Sequence, residues 1–384
     1  MGYLIGGAGE GPEKAIEGSG VDLSSLSNDD LLALHAQTIK DVTKFSNFQM
    51  VRKICLNSLY GALGNQYFRH YKLENAEAIT CTGQVAIRWI ERKLNEFVNK
   101  TLKTEGIDYV VASDTDSIYL NLGSLVDSVG DVGTQRTVDV LNKFCLTVIE
   151  PFITKSYDEL SDYLNCYEKT LVMKRECIAE RGIWTAKKRY ILNVWDNEGV
   201  RYDEAKLKMM GIEAVKSSTP KPVRKYIKDC LKIIMEGTEE QLIEYIAEKR
   251  MEFEKMSPEE IAFPRTGNNI SKFMDVSTLY KKGCPMHVRG CIMFNHLLRQ
   301  QKLTNKYSII QDGEKIRYIF LRTPNPLGSN VISFITELPQ EFDLHKKIDY
   351  DTMFQKSFID PLQVILDTIG WQTEKTATLF DFFS

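Results

Sequence analysis

The chain has 384 residues, enough for two or three domains, and its 43% apolar and 26% charged residues suit a globular protein with a sizeable core. A formal net charge of −3 excludes binding of polyanions through bulk charge, so any nucleic-acid contact must come from local basic surface. The eight cysteines are scattered, with no Cys-x-x-Cys pair and no ligand-spaced His, which argues against a zinc site and predicts a reduced, cytoplasmic chain. No signal peptide and no apolar run of bilayer-spanning length is read.

Residues 1–20 are Gly-rich and read as a flexible N-terminal segment. Ser27 opens a helix, with Asp29 and Asp30 in its first turn, where carboxylates suit the dipole. A second helix is predicted through Phe48, Ile54 and Leu56 to about Leu63, and a third over 84–99. The apolar runs Tyr109–Ala112 and Ile118–Leu122 flank Ser113-Asp114-Thr115-Asp116-Ser117, which predicts a β-hairpin with carboxylates at its tip. Residues 138–157 read as helix, Leu171–Ile178 and Tyr190–Trp195 as strands, and 220–249 as helix broken near Gly237. The remainder is mixed and punctuated by Pro264, Pro285, Pro324 and Pro326.

Two local patterns carry chemistry. Lys53, Asn57 and Tyr60 stand at i, i+4 and i+7, so a helix presents a cation, an amide and an aromatic ring on one face, followed by Gly61. A triphosphate needs the first two and a nascent base pair needs a flat surface, although the same spacing describes an ordinary amphipathic helix with a snorkelling Lys. Asp114 and Asp116 repel one another unless cations sit between them, and hard divalent ions such as Mg²⁺ prefer such oxygen ligands; a plain polar turn has the same composition.

Taken together and in order, Lys53-x-x-x-Asn57-Ser58-x-Tyr60-Gly61 and Asp114-Thr115-Asp116-Ser117 resemble the family B DNA polymerases. The resemblance continues through Trp184-Thr185-Ala186-Lys187-Lys188-Arg189-Tyr190, Asn193–Asp196, Lys216–Pro220 and Cys284–Gly290, and is greatest to the replicative enzymes of large tailed phages. It runs from about residue 45 to the C-terminus.

The resemblance implies an α+β fold: an incomplete polymerase right hand, with an antiparallel palm sheet, packed helices, part of a helical fingers domain and a mostly helical thumb. Fingers helices would occupy 21–65, the palm 66–215 and the thumb 216–375. Lys53 and Asn57 would bind the incoming deoxynucleoside triphosphate, and Tyr60 and Gly61 would floor the nascent pair. Asp116, with Asp114, would be catalytic and hold two Mg²⁺ ions. Glu176 matches a further acidic palm position, whereas Lys174 stands where the family has an acid. Lys187, Lys188, Arg189 and Tyr190 would grip primer–template DNA, with His287 and Arg289 as further backbone contacts. Charge agrees independently: residues 171–232 hold 15 Lys and Arg against 8 Asp and Glu in an acidic chain, although a solvated helix face has the same composition. The tail 376–384 would place Leu379, Phe380, Phe382 and Phe383 on a sliding clamp or fold them back onto the thumb. The location implied is the host-cell cytoplasm.

The family also needs an upstream Asp-x-x-Ser-Leu-Tyr-Pro motif carrying another metal ligand. Asp22-Leu23-Ser24-Ser25-Leu26 lacks the Tyr-Pro and stands too close to Lys53. Nothing before residue 45 reads as that motif or as a proofreading exonuclease. The expectation is therefore a polymerase portion that needs a separate N-terminal chain with the exonuclease. The alternatives are a non-catalytic DNA- and clamp-binding remnant and an unrelated two-metal nuclease, which would leave Lys53, Asn57 and Tyr60 unexplained.

Overall fold

Ser27 caps the first helix as its sequence predicts: its Oγ accepts from the Asp30 amide at 3.2 Å. The computed structural model describes residues 26–374 and, as backbone only, 3–5. The strand β1 (Tyr3–Ile5) precedes α1 (Asn28–Leu63), a single 36-residue helix where two were expected. Neither Gly nor Pro stands between Asn28 and Tyr60, so nothing interrupts it. No residue of α1 is buried. The chain then turns into α2 (Leu73–Leu102), whose Ala86, Ile90, Leu94 and Val98 recur every fourth residue and are buried.

By contact, the chain divides into two units, Met1–Arg181 with Val194–Lys206, and Gly182–Asn193 with Leu207–Ser384. In the first, β2 (Val110–Asp114) and β3 (Ser117–Leu120) form an antiparallel hairpin with Asp114 opposite Ser117. The sheet order is β1-β3-β2, so Tyr3–Ile5 pairs with β3, which the Gly-rich composition did not signal. The short α3 (Gly123–Val129) leads to α4 (Thr134–Phe144), a π turn at Cys145–Ile149 and α5 (Glu150–Tyr163). Across the last three, Leu141, Cys145, Ile149, Ile153 and Tyr157 recur every four residues, and the π turn keeps them facing one core with Ile90, Leu94, Ile118 and Leu120. Phe97 stacks on Phe152 with centroids 4.0 Å apart, and Trp89 donates its indole N–H to the Ser156 carbonyl at 2.9 Å, fixing α2 on α5.

Three consecutive strands follow, β4 (Cys177–Ala186), β5 (Arg189–Asn197) and β6 (Val200–Met210), paired in that order and joined by two-residue turns. The boundary between units passes through these strands. The expected strand over 171–178 starts only at Cys177; upstream, the Arg175 amide bonds to the Glu150 side chain.

The second unit contains α6 (Lys221–Glu236) and α7 (Glu239–Phe253), separated at Gly237 as the sequence predicts, with a Thr238–Gln241 capping box starting α7. Then come α8 (Pro258–Ile261), β7 (Phe263–Gly267), α9 (Ile270–Phe273) and the small hairpin β8 (Met274–Asp275) and β9 (Leu279–Tyr280). The longer α10 (Met286–Gln300), β10 (Glu314–Phe320) and β11 (Val331–Phe334) follow, then α11 (Tyr350–Phe354), a second π turn and α12 (Asp360–Ile369). The stretch from 216 onward, expected mostly helical, thus also carries the antiparallel sheet β11-β10-β7. Helix α10 lies close on it: a Cβ at Gly290 would stand 2.3 Å from Ser333 Oγ, so only Gly admits this approach.

Candidate active site and nucleic-acid interface

The β2–β3 tip is built from below. Ile118, Tyr119 and Leu120 are buried on β3, and Asn95 Oδ1 of α2 accepts from the Tyr109 and Val110 amides at 2.8 and 3.1 Å, fixing the start of β2. At the tip Asp114 is half-buried and Asp116 exposed. Thr115 between them has φ +58°, a left-handed conformation that a β-branched residue rarely adopts. The tip is tied by a 2.6 Å hydrogen bond from the Asp116 amide to the Asp114 carbonyl, and the Thr115 hydroxyl donates to Asp114 Oδ1 at 2.9 Å. Strain of this kind persists where surrounding structure over-determines it, commonly at functional sites.

Helix α5 relates this tip to Glu176. Burial, and then the negative charge of Asp116, push the Tyr157 phenol up to about 12. Two turns earlier, Glu150 accepts a 2.8 Å hydrogen bond from the Arg175 amide. Seven helical residues span ~10 Å, so one helix connects the hairpin tip with the 174–176 segment. That segment is held firmly. Arg175 pairs with Asp196 with both side chains almost wholly buried, Asp196 also meets Arg201 at 3.4 Å, and the Glu176 carbonyl accepts from the Glu198 amide at 2.5 Å. Glu176 itself is half-buried.

Lys53, Asn57, Tyr60 and Gly61 lie on α1 and are exposed, Tyr60 to 45%. A Cβ at Gly61 would meet nothing within 4 Å. In the second unit Lys187 and Lys188 form the β4–β5 turn and are exposed, with Lys188 at φ +60°. Arg189 turns aside to bind Glu213 through both terminal nitrogens, at 3.1 and 2.7 Å, and Tyr190 is buried. His287 packs against the Tyr318 ring, and burial, then the charge of Arg265, hold its pKa below the usual value, so it is neutral at neutral pH. Arg289 bonds Asn330 and lies over the Tyr280 ring. The tail residues Leu379, Phe380, Phe382 and Phe383 lie outside the described residues.

Asp114 and Asp116 offer hard oxygen donors suited to Mg²⁺. Among the described residues no three His, Cys, Asp or Glu converge as a metal cluster, so the pair is a partial donor set that phosphate oxygens, water or another segment would complete. Among the described residues no helix is long and apolar enough to cross a membrane. Asp196, within the Asn193–Asp196 stretch, shapes these sites together with three residues outside the motifs: Glu150, Gly211 and Glu213. Glycine's tolerance of positive φ was the one signal in sequence that could have marked any of them, at Gly211.

The chain belongs to DNA polymerase family B, whose profile matches residues 32–146 and 140–369. It is 41% identical over 351 residues to the DNA-directed DNA polymerase of Escherichia phage RB69, which covers 87% of this chain and 38% of that protein. It is 38% identical over 373 residues to the DNA-directed DNA polymerase of Enterobacteria phage T4, covering 93% of this chain and 41% of that protein. The chain therefore spans about two fifths of the length of these relatives.

Proposed function

We propose that this chain is the C-terminal portion of a DNA-directed DNA polymerase, adding deoxynucleotides to a primer 3′ end under template direction. The observation that carries the reading is the pair Asp114 and Asp116 on the tied β2–β3 tip, within a chain of this family. The parts are fingers helices at 21–65, palm at 66–215, thumb at 216–375 and a clamp-binding tail at 376–384.

Asp116 and Asp114 would hold two Mg²⁺ ions, which would supply charge stabilisation for phosphoryl transfer. Lys53 neutralises the triphosphate and Asn57 donates to it. Tyr60 and Gly61 leave a flat, uncrowded floor for the new base pair, in keeping with the open space around Gly61. Lys187 and Lys188 meet duplex phosphates; Arg189 and Tyr190 act from beneath that turn, and His287 and Arg289 lie further along the duplex path. Glu176, set by the Arg175–Asp196 pair, is an acidic neighbour of the metal pair.

The active site needs a further portion, which would supply the remaining metal ligand. Two observations support this. Two carboxylates are an incomplete ligand set. On α1, Leu32, Ile39, Val42, Phe45, Phe48, Val51, Ile54, Leu56 and Leu59 are each more than half exposed, an apolar surface that water alone does not cover stably.

The test is Asp116→Ala in the enzyme assembled from this chain and the N-terminal portion of its polymerase. Nucleotide addition should be abolished while duplex affinity stays within about twofold, because Asp116 positions metal rather than DNA. Near-normal extension by the variant would remove the metal-ligand role. The second reading, a DNA- and clamp-binding remnant without catalysis, draws on the same incomplete carboxylate set, and predicts no extension even with Asp116 intact.

A further inference from the structure

We infer that Glu213 is a positioning residue for the Lys187–Arg189 turn: an acid placed next to a phosphate-binding turn to hold it in shape, not to repel its ligand. The inference rests on the reading that this turn grips duplex DNA.

The strand β6 ends at Met210, and Gly211 carries the backbone past the turn with φ +66°. A Cβ at Gly211 would stand 2.4 Å from the Lys188 carbonyl oxygen and 3.0 Å from Arg189 Cγ, so the two segments touch backbone to backbone. Ile212 and Ala214, on either side of Glu213, are buried in the second unit's core. Glu213 is thus a rigidly based carboxylate. It takes Arg189 through two parallel hydrogen bonds and Lys216 through a third at 2.9 Å. A bidentate Arg–carboxylate pair fixes orientation as well as distance. The side chains are 27% and 18% exposed, so solvent screens the pair only in part. Burial alone would raise the Glu213 pKa, but the hydrogen bonds from Lys216 and Arg189 outweigh it and hold the group below its usual value, ionised.

The consequence is a division of labour inside one motif. Arg189 is held back by Glu213 and bolts the turn to the core, while Lys187 and Lys188 are projected at the surface. Lys188 holds a left-handed backbone conformation that is unfavourable for a non-glycine residue, which an external brace helps to hold.

Bulk electrostatics and positioning make opposite predictions for Glu213→Gln. Removing a negative charge beside a phosphate site should tighten DNA binding if charge alone matters. If Glu213 positions the turn, binding should weaken despite the gained charge. The experiment measures affinity of the full chain for a primer–template duplex across a salt series. It uses wild type, Lys188→Ala, Glu213→Gln and the double variant, with Arg189→Lys as a second probe that keeps the charge but breaks the bidentate geometry. Thermal unfolding of each checks the fold. Lys188→Ala should weaken binding and lower the log–log salt slope by roughly one. Glu213→Gln should weaken it about tenfold, as expected for coupled neighbours, and add little in the Lys188→Ala background. Arg189→Lys should behave like Glu213→Gln. Tighter binding by Glu213→Gln, or full additivity with Lys188→Ala, would overturn the inference while leaving the DNA reading standing. No effect of Lys188→Ala on affinity or slope would overturn the DNA reading and the inference with it.

Discussion

Thr115 and Asp196 show two ways in which single residues shape the candidate site. Thr115 accepts a left-handed conformation at the hairpin tip, against its β-branched preference, and thereby presents the carboxylates of Asp114 and Asp116 on either side. Asp196, with an exposure of 2%, carries the buried end of an ion-pair chain that runs through Arg175 and Arg201 to Asp139, which Arg201 meets at 2.9 Å. Such a pair gives little net stability over an apolar replacement, but breaking it strands a buried guanidinium. Asp196→Ala should therefore cost about 3–5 kcal/mol in urea unfolding of the chain. A loss below about 1 kcal/mol would mean that water reaches Arg175 and that the 174–176 segment is not clamped.

At the scale of elements, what the sequence revealed depended on how local the cause was. The Ser27 cap, the break at Gly237 and the hairpin around Asp114 and Asp116 are decided within a few residues and were legible. The strand expected over 171–178 was not, because the Arg175 amide bonds to Glu150, 25 residues away in sequence. The pairing of Tyr3–Ile5 with β3 and the sheet of β7, β10 and β11 are also non-local. The site divides in the same way. Motif order marked Lys53, Asn57, Tyr60, Asp114, Asp116 and Lys187 to Tyr190, whereas Glu213, 24 positions beyond Arg189, is meaningful only once Gly211 brings the segments together. Motif resemblance also could not separate surface residues of a motif from those beneath it, as Arg189 and Tyr190 illustrate.

At the scale of the whole molecule, the chain is a family B polymerase sequence about two fifths as long as its phage relatives, with a long helix whose apolar residues are exposed and a carboxylate pair that needs further ligands. The proposed clamp-binding tail belongs to this scale. Deleting Leu379 to Ser384 should leave short, distributive synthesis by the assembled enzyme nearly unchanged, yet remove stimulation of long synthesis by a sliding clamp. A terminal peptide costs the fold little when cut, whereas apolar anchors on a tether raise effective concentration at a partner. Equal loss of short and long synthesis, or unfolding of the chain, would assign the tail to the thumb core. The central claim is that this chain supplies part of a polymerase active site, and primer extension tests it most directly. The chain is assayed alone, the N-terminal portion alone, and the two together, on one primer–template with Mg²⁺ and deoxynucleotides. The account predicts template-directed extension only from the pair, and its loss in Asp116→Ala; extension by the N-terminal portion at the same rate without this chain, or none from the pair, would contradict it.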